Sequence, residues 1–76
     1  MKYIILEIQE NADGSIGIPP VASYASVYDA ESKYHTVLYA AAKSQVAVHS
    51  AVMLNSEGQY IKSEAYDHRQ PDSQEE

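Results

Sequence analysis

The chain has 76 residues, with 11 acidic against 5 basic side chains, a formal charge of −6, seven tyrosines, no Phe or Trp and no cysteine. This length fits one domain with a small core, and the missing cysteines exclude a disulfide framework, a thiolate zinc site and a cysteine nucleophile. So few Lys and Arg argue against a phosphate-backbone partner, and no apolar run approaches the roughly 20 residues that span a bilayer.

At the amino terminus Ile4, Leu6 and Ile8 alternate with Tyr3, Ile5, Glu7 and Gln9, the period of two that predicts a strand. Glu7 also interrupts the run before it could serve as the apolar core of a signal peptide, so a cytoplasmic address is expected. Asn11-Ala12-Asp13-Gly14 holds residues that tolerate positive φ and predicts a hairpin loop. From Ser15 to Val27 the pattern of Ile16, Ile18, Val21, Tyr24 and Val27 is strand-like, but Gly17, Pro19 and Pro20 fall inside it. Prolines cannot donate to a ladder, so the expectation is a kinked or edge strand, with an irregular loop as the alternative.

A helix is predicted from Asp29 to Ser44, with Asp29 as N-cap, Glu31 near the positive end of the dipole and Lys43 near the negative end. Its apolar stripe is Ala30, Tyr34, Val37, Leu38 and Ala41. Val46 to Asn55 follows as a strand apolar on both faces, hence central. The turn Ser56-Glu57-Gly58 leads to a fourth strand, Gln59 to Tyr66. Residues 67–76 lack apolar groups to offset ordering entropy and are expected to be a disordered acidic tail beyond a domain of residues 1–66.

This order predicts an α+β fold, ββαββ, with an antiparallel or mixed four-stranded sheet and one helix packed on one face. Ile4, Leu6, Ile8, Val48, Val52 and Ile61 are expected to meet the helix. The far face would then carry Tyr3, Ile5, Ala51, Met53, Tyr60 and Tyr66, mixed with Glu7, His49 and Lys62. A tyrosine- and methionine-bearing face has the composition of an interaction site, and Tyr3, Ile5, Met53 and Tyr60 are its expected contact residues. With only tyrosines as large rings, each carries a hydroxyl that must be solvated or paired, so few should be fully buried.

Chemistry-bearing patterns are sparse. There is no GxSxG elbow, Walker A loop or GxGxxG loop, and His35, His49 and His68 match no metal-ligand spacing, so no catalytic, cofactor or metal residue is assigned. His35 and Tyr39 are expected as an exposed helical pair, and Ala40-Ala41-Ala42 as plain helix former.

The blocks Glu7 to Gly14, Ala30 to Leu38 and His49 to Leu54 give the chain a resemblance to small uncharacterised proteins encoded by gut bacteria and their phages or prophages. That resemblance implies a setting, an accessory protein of a phage or mobile element, and no functional residue. The expected function is a non-enzymatic protein-interaction module, most simply a homodimer, using the open sheet face or an edge strand. The alternative is an acidic inhibitor or decoy of a nucleic-acid-binding protein.

Overall fold

The computed structural model describes residues 1–69. It has the α+β architecture expected: one helix on one face of an antiparallel sheet. The elements are β1 (Tyr3–Glu10), β2 (Ile16–Gly17), β3 (Ala22–Tyr24), α1 (Val27–Lys43), β4 (Val48–Asn55) and β5 (Tyr60–Asp67). β4 lies between β1 and β5, while β2 and β3 share the outer edge of β1. The segment with two prolines is thus an edge strand broken in two. Ile18 to Val21, including Pro19 and Pro20, separates the pieces that bond to the two ends of β1.

Both hairpins turn in the same way. In the first, the Asn11 N–H donates to the Ser15 carbonyl and the Gly14 N–H to the Asn11 carbonyl; in the second, Asn55 to Gln59 and Gly58 to Asn55 repeat this. Gly14 and Gly58 have φ of 90° and 82°, the left-handed conformation that a side chain disfavours and that lets such a loop close. Asn55 locks the second turn by accepting from the Glu57 and Gln59 N–H groups at 2.9 and 3.0 Å.

The helix begins earlier than the acidic residues indicate. Ser26 is the N-cap, its hydroxyl accepting from the N–H groups of Tyr28 and Asp29, and Asp29 sits inside the first turn. All five residues of the expected stripe, Ala30, Tyr34, Val37, Leu38 and Ala41, are buried. Within the alanine run only Ala41 is packed; Ala40 and Ala42 face solvent.

The sheet face under this stripe is the opposite of the one expected. Ile5, Ala51 and Met53 are buried with the helix residues in one cluster, and Tyr3, Tyr24 and Tyr66 pack around it. Ile4, Leu6, Ile8, Val48, Val52 and Leu54 are only half-buried. β1 and β4 pair Ile4 with Leu54, Ile5 with Met53 and Leu6 with Val52, so the odd-numbered residues of both strands face the helix and the even-numbered ones face away. Of the seven tyrosines only Tyr34 is buried, in line with the expectation that hydroxyl-bearing rings resist full burial. Burial pushes its phenol pKa up, helped by the charge of Glu64 and opposed by that of Lys62.

β5 ends one residue beyond the expected strand. Asp67 is still in the strand, the His68 N–H donates to the Ala47 carbonyl at 2.7 Å, and Arg69 is paired with Asp67. The remainder of the expected tail, residues 70–76, lies outside the described residues.

Candidate functional site: the uncovered sheet face

Strand alternation and register build this face. Ile4, Leu6 and Ile8 from β1 stand beside Leu54, Val52 and Ser50 from β4, making an aliphatic ridge along the two central strands. On the flanks are small residues: Ser63 opposite Val52 and Ala65 opposite Ser50 on β5, and Ser23 opposite Ile4 on β3. Ile16, 56% exposed, stands opposite Glu10 and extends the apolar surface on β2. Among the described residues, charge on this face is confined to its ends. Glu10, Val48 and Asp67 form one cross-strand row, and Lys2, bonded through its backbone to Ser56, continues the alternation of β1 at the other end.

Of the four expected contact residues, the structure places three on the wrong side for contact. Ile5 is 4% exposed and Met53 0%, both core, and Tyr3 packs half-buried beside them. Tyr60 is 63% exposed. It reaches the uncovered side because β5 carries a bulge: Lys62 pairs with Met53 but Tyr60 with Leu54, leaving Ile61 as an extra residue between. A bulge of this kind reverses the alternation, so Tyr60 is separated from Lys62 and Tyr66, with which it shares sequence parity. Its hydroxyl hydrogen-bonds with that of Ser63 at 3.0 Å. Ile4, Leu6, Ile8 and Val52, expected to meet the helix, instead form the ridge together with Leu54. The signal for them was their aliphatic size and strict alternation, which reads equally well as a core face and as a docking face.

The helix-covered face holds the polar groups instead. His49, 4% exposed, has its Nε2 at 2.6 Å from Glu7 Oε2 and its Nδ1 at 2.9 Å from Ser44 Oγ. Gln9 donates to the same Glu7 oxygen, and Ser44 Oγ accepts from the Val46 N–H. Burial acts to raise the Glu7 carboxyl, but the hydrogen bonds from His49 and Gln9, and the charges of His49 and Lys33, outweigh it and hold the pKa below the ordinary value. A serine, histidine and glutamate in one chain of hydrogen bonds has the order of a hydrolytic triad. Its setting is wrong for that chemistry. Among the described residues no cavity opens onto it. Ser44 is the C-cap of the helix, where carbonyls and the negative dipole end oppose a developing oxyanion. What the array does is satisfy a buried imidazole and fasten the end of α1 to β1 and β4.

Three further carboxylate or cation contacts are made within the chain. Lys62 Nζ lies 2.6 and 2.7 Å from the two Glu31 oxygens and 4.8 Å from the centre of the Tyr34 ring. The hydrogen bond from Lys62 leads the effects that lower the Glu31 pKa. The Arg69 guanidinium, hydrogen-bonded to Asp67, draws that carboxyl down to about 2. On the outer helix face His35 meets Glu31 at 3.4 Å, and Tyr39 takes Lys43 over its ring at 4.7 Å. The expected His35–Tyr39 pair is thus replaced by two others, each at the same helical spacing. Among the described residues no three His, Asp or Glu gather as metal ligands, and no helix is long and apolar enough to cross a membrane.

Compared with protein-family models, curated proteins and solved structures, the chain matches none.

Proposed function

We propose that this chain is a non-enzymatic protein-interaction module that self-associates, two copies packing their uncovered sheet faces against each other. The observation that carries this reading is the ridge of Ile4, Leu6, Ile8, Val52 and Leu54, in register on the two central strands and flanked by small residues. Sheets stack about 10 Å apart through interdigitating side chains of this kind. Three eight-residue strands, with the short β2 and β3 as a broken fourth rank, give the face a projection of at most about 27 by 19 Å. With side-chain relief, that approaches the roughly 800 Å² per partner of a standard interface.

The core supplies the motive. Two of the seven buried residues in the main cluster, Ala30 and Val37, are small residues of the helix and a third is Ala51, so Ile5, Tyr34, Leu38 and Met53 carry most of the burial. A core of this size rarely supplies more than about 3 to 5 kcal/mol, and association through a second apolar face stabilises the folded chain by mass action. The sheet edges favour the face over edge pairing. β5 is kinked by its bulge and carries Lys62, Glu64 and Asp67, and the other edge is broken by Pro19 and Pro20; such features suppress strand addition.

The alternative of an acidic decoy is weakened by the engagement of Glu7, Glu31 and Asp67 with groups of their own chain. The setting implied by the resemblance, an accessory protein of a phage or mobile element, suits a small self-associating module. Light scattering on the full chain tests the reading. A dimer is expected for the native sequence, and a monomer with unchanged circular dichroism for Leu6→Lys combined with Val52→Lys. A native chain that stays monomeric at high concentration, or a dimer that survives both lysines, overturns it.

A further inference from the structure

We infer that the two copies stack with their strands running in opposite directions, the two-fold axis crossing the strands, so that the Lys2 end of each copy lies over the Glu10 and Asp67 end of the other. This rests on the face-to-face reading above. A closed pair joined through one face of each copy is isologous, and its two-fold axis must lie in the plane of the interface. For sheets stacked with their strands aligned, two orientations are then open, along the strands or across them.

The ends of the face decide between the two. Glu10 and Asp67 sit in the same cross-strand row. Arg69 is bonded to Asp67 and feels the charge of Glu10, which leaves one negative charge at that end among the described residues. Lys2 holds the other end, with the exposed Glu57 of the turn nearby in sequence to its bonded partner Ser56. An axis along the strands would stack acidic end on acidic end and Lys2 on Lys2. An axis across the strands brings each Lys2 over the carboxylates of the other copy, and like charges brought together at an apolar interface are what such pairing avoids. The central residues Leu6 and Val52, paired with each other, then lie near the axis and meet their own copies.

The absence of native cysteine allows a direct test. Single variants Lys2→Cys, Glu10→Cys and Leu6→Cys are made in the full chain and joined with a short bis-maleimide. Leu6→Cys should cross-link to itself and report that the faces meet. An equimolar mixture of Lys2→Cys and Glu10→Cys should give the mixed dimer, whereas each alone should give almost none, since its two copies lie on the order of 27 Å apart along the strands. Efficient self-linking of Lys2→Cys and of Glu10→Cys, with Leu6→Cys also linking, overturns the orientation and leaves the face intact. No linking of Leu6→Cys together with a monomeric mass overturns the face itself. As an independent reading, Lys2→Glu and Glu10→Lys should each weaken the dimer roughly five-fold at low salt, and the double exchange should restore it; a double exchange weaker than either single change counts against the orientation.

Discussion

The two faces of one sheet divide the work of this protein in a way that hydropathy reverses. The uncovered face carries Ile4, Leu6, Ile8, Val52 and Leu54, while the helix covers a face with Glu7, Gln9, His49 and Asn55 among its members. The covered face is core because it is satisfied and closely fitted. Ala51 is a small residue directly under the helix, Met53 fills the space beside it, and an unbranched thioether adapts well to irregular gaps. Its polar residues bond to one another, so no buried side-chain polar atom among the described residues lacks a partner. Apolar content alone does not make a core; the fit of the facing element does.

Substitutions can break that comparison. Met53→Ala should have the largest effect, about 2 to 5 kcal/mol of lost stability in urea unfolding. Leu6→Ala, measured at a concentration low enough for the monomer, should cost less than half as much; equal losses would mean that the two faces are equivalent. His49→Ala comes next at about 1 to 3 kcal/mol, because it leaves Glu7 and Ser44 without their shared partner. The same loss from His49→Asn would show that shape rather than hydrogen bonding matters there. Ser26→Ala should remove about 1 kcal/mol by freeing the first-turn N–H groups of α1, loosening the covered face and leaving the ridge untouched. Reduced helix content with an unchanged cross-linking pattern would check this.

The smallest effect is a pH dependence. The Glu7 carboxyl titrates below its ordinary value of 4.5 in the folded chain, so the folded state holds fewer protons than the unfolded one. Its contribution is present above the unfolded pKa and is lost as pH falls through the lower folded value. Glu7→Gln should therefore flatten the acid limb of a stability profile below about pH 4.5 and leave the neutral region with little pH slope of its own. An acid limb identical to that of the native chain would show that this carboxylate is not what the fold loses in acid.

Much of the fold was legible in the residues themselves. The helix stripe from Ala30 to Ala41, the two Asn-x-x-Gly turns, the central placement of β4 and the broken edge at Pro19 and Pro20 all follow from local periodicity and local stereochemistry. Ser26 was missed as the cap because Asp29, three residues on, has the same capping chemistry. The site was less legible. The bulge at Ile61 has no marker in the sequence, and without it strict alternation groups Tyr60 with Lys62 and Tyr66, from which the bulge separates it.

The sequence by itself determined the elements, since a period of two or 3.6, a proline or a glycine with positive φ acts within a few residues of itself. Only the tertiary structure decided which side of the sheet receives the helix. β3 and β4 are parallel to each other with β1 between them, and a helical crossover joining parallel strands has a strong preference of hand. Strand order and hydrogen-bonding parity therefore select the covered face. The more apolar one is left uncovered.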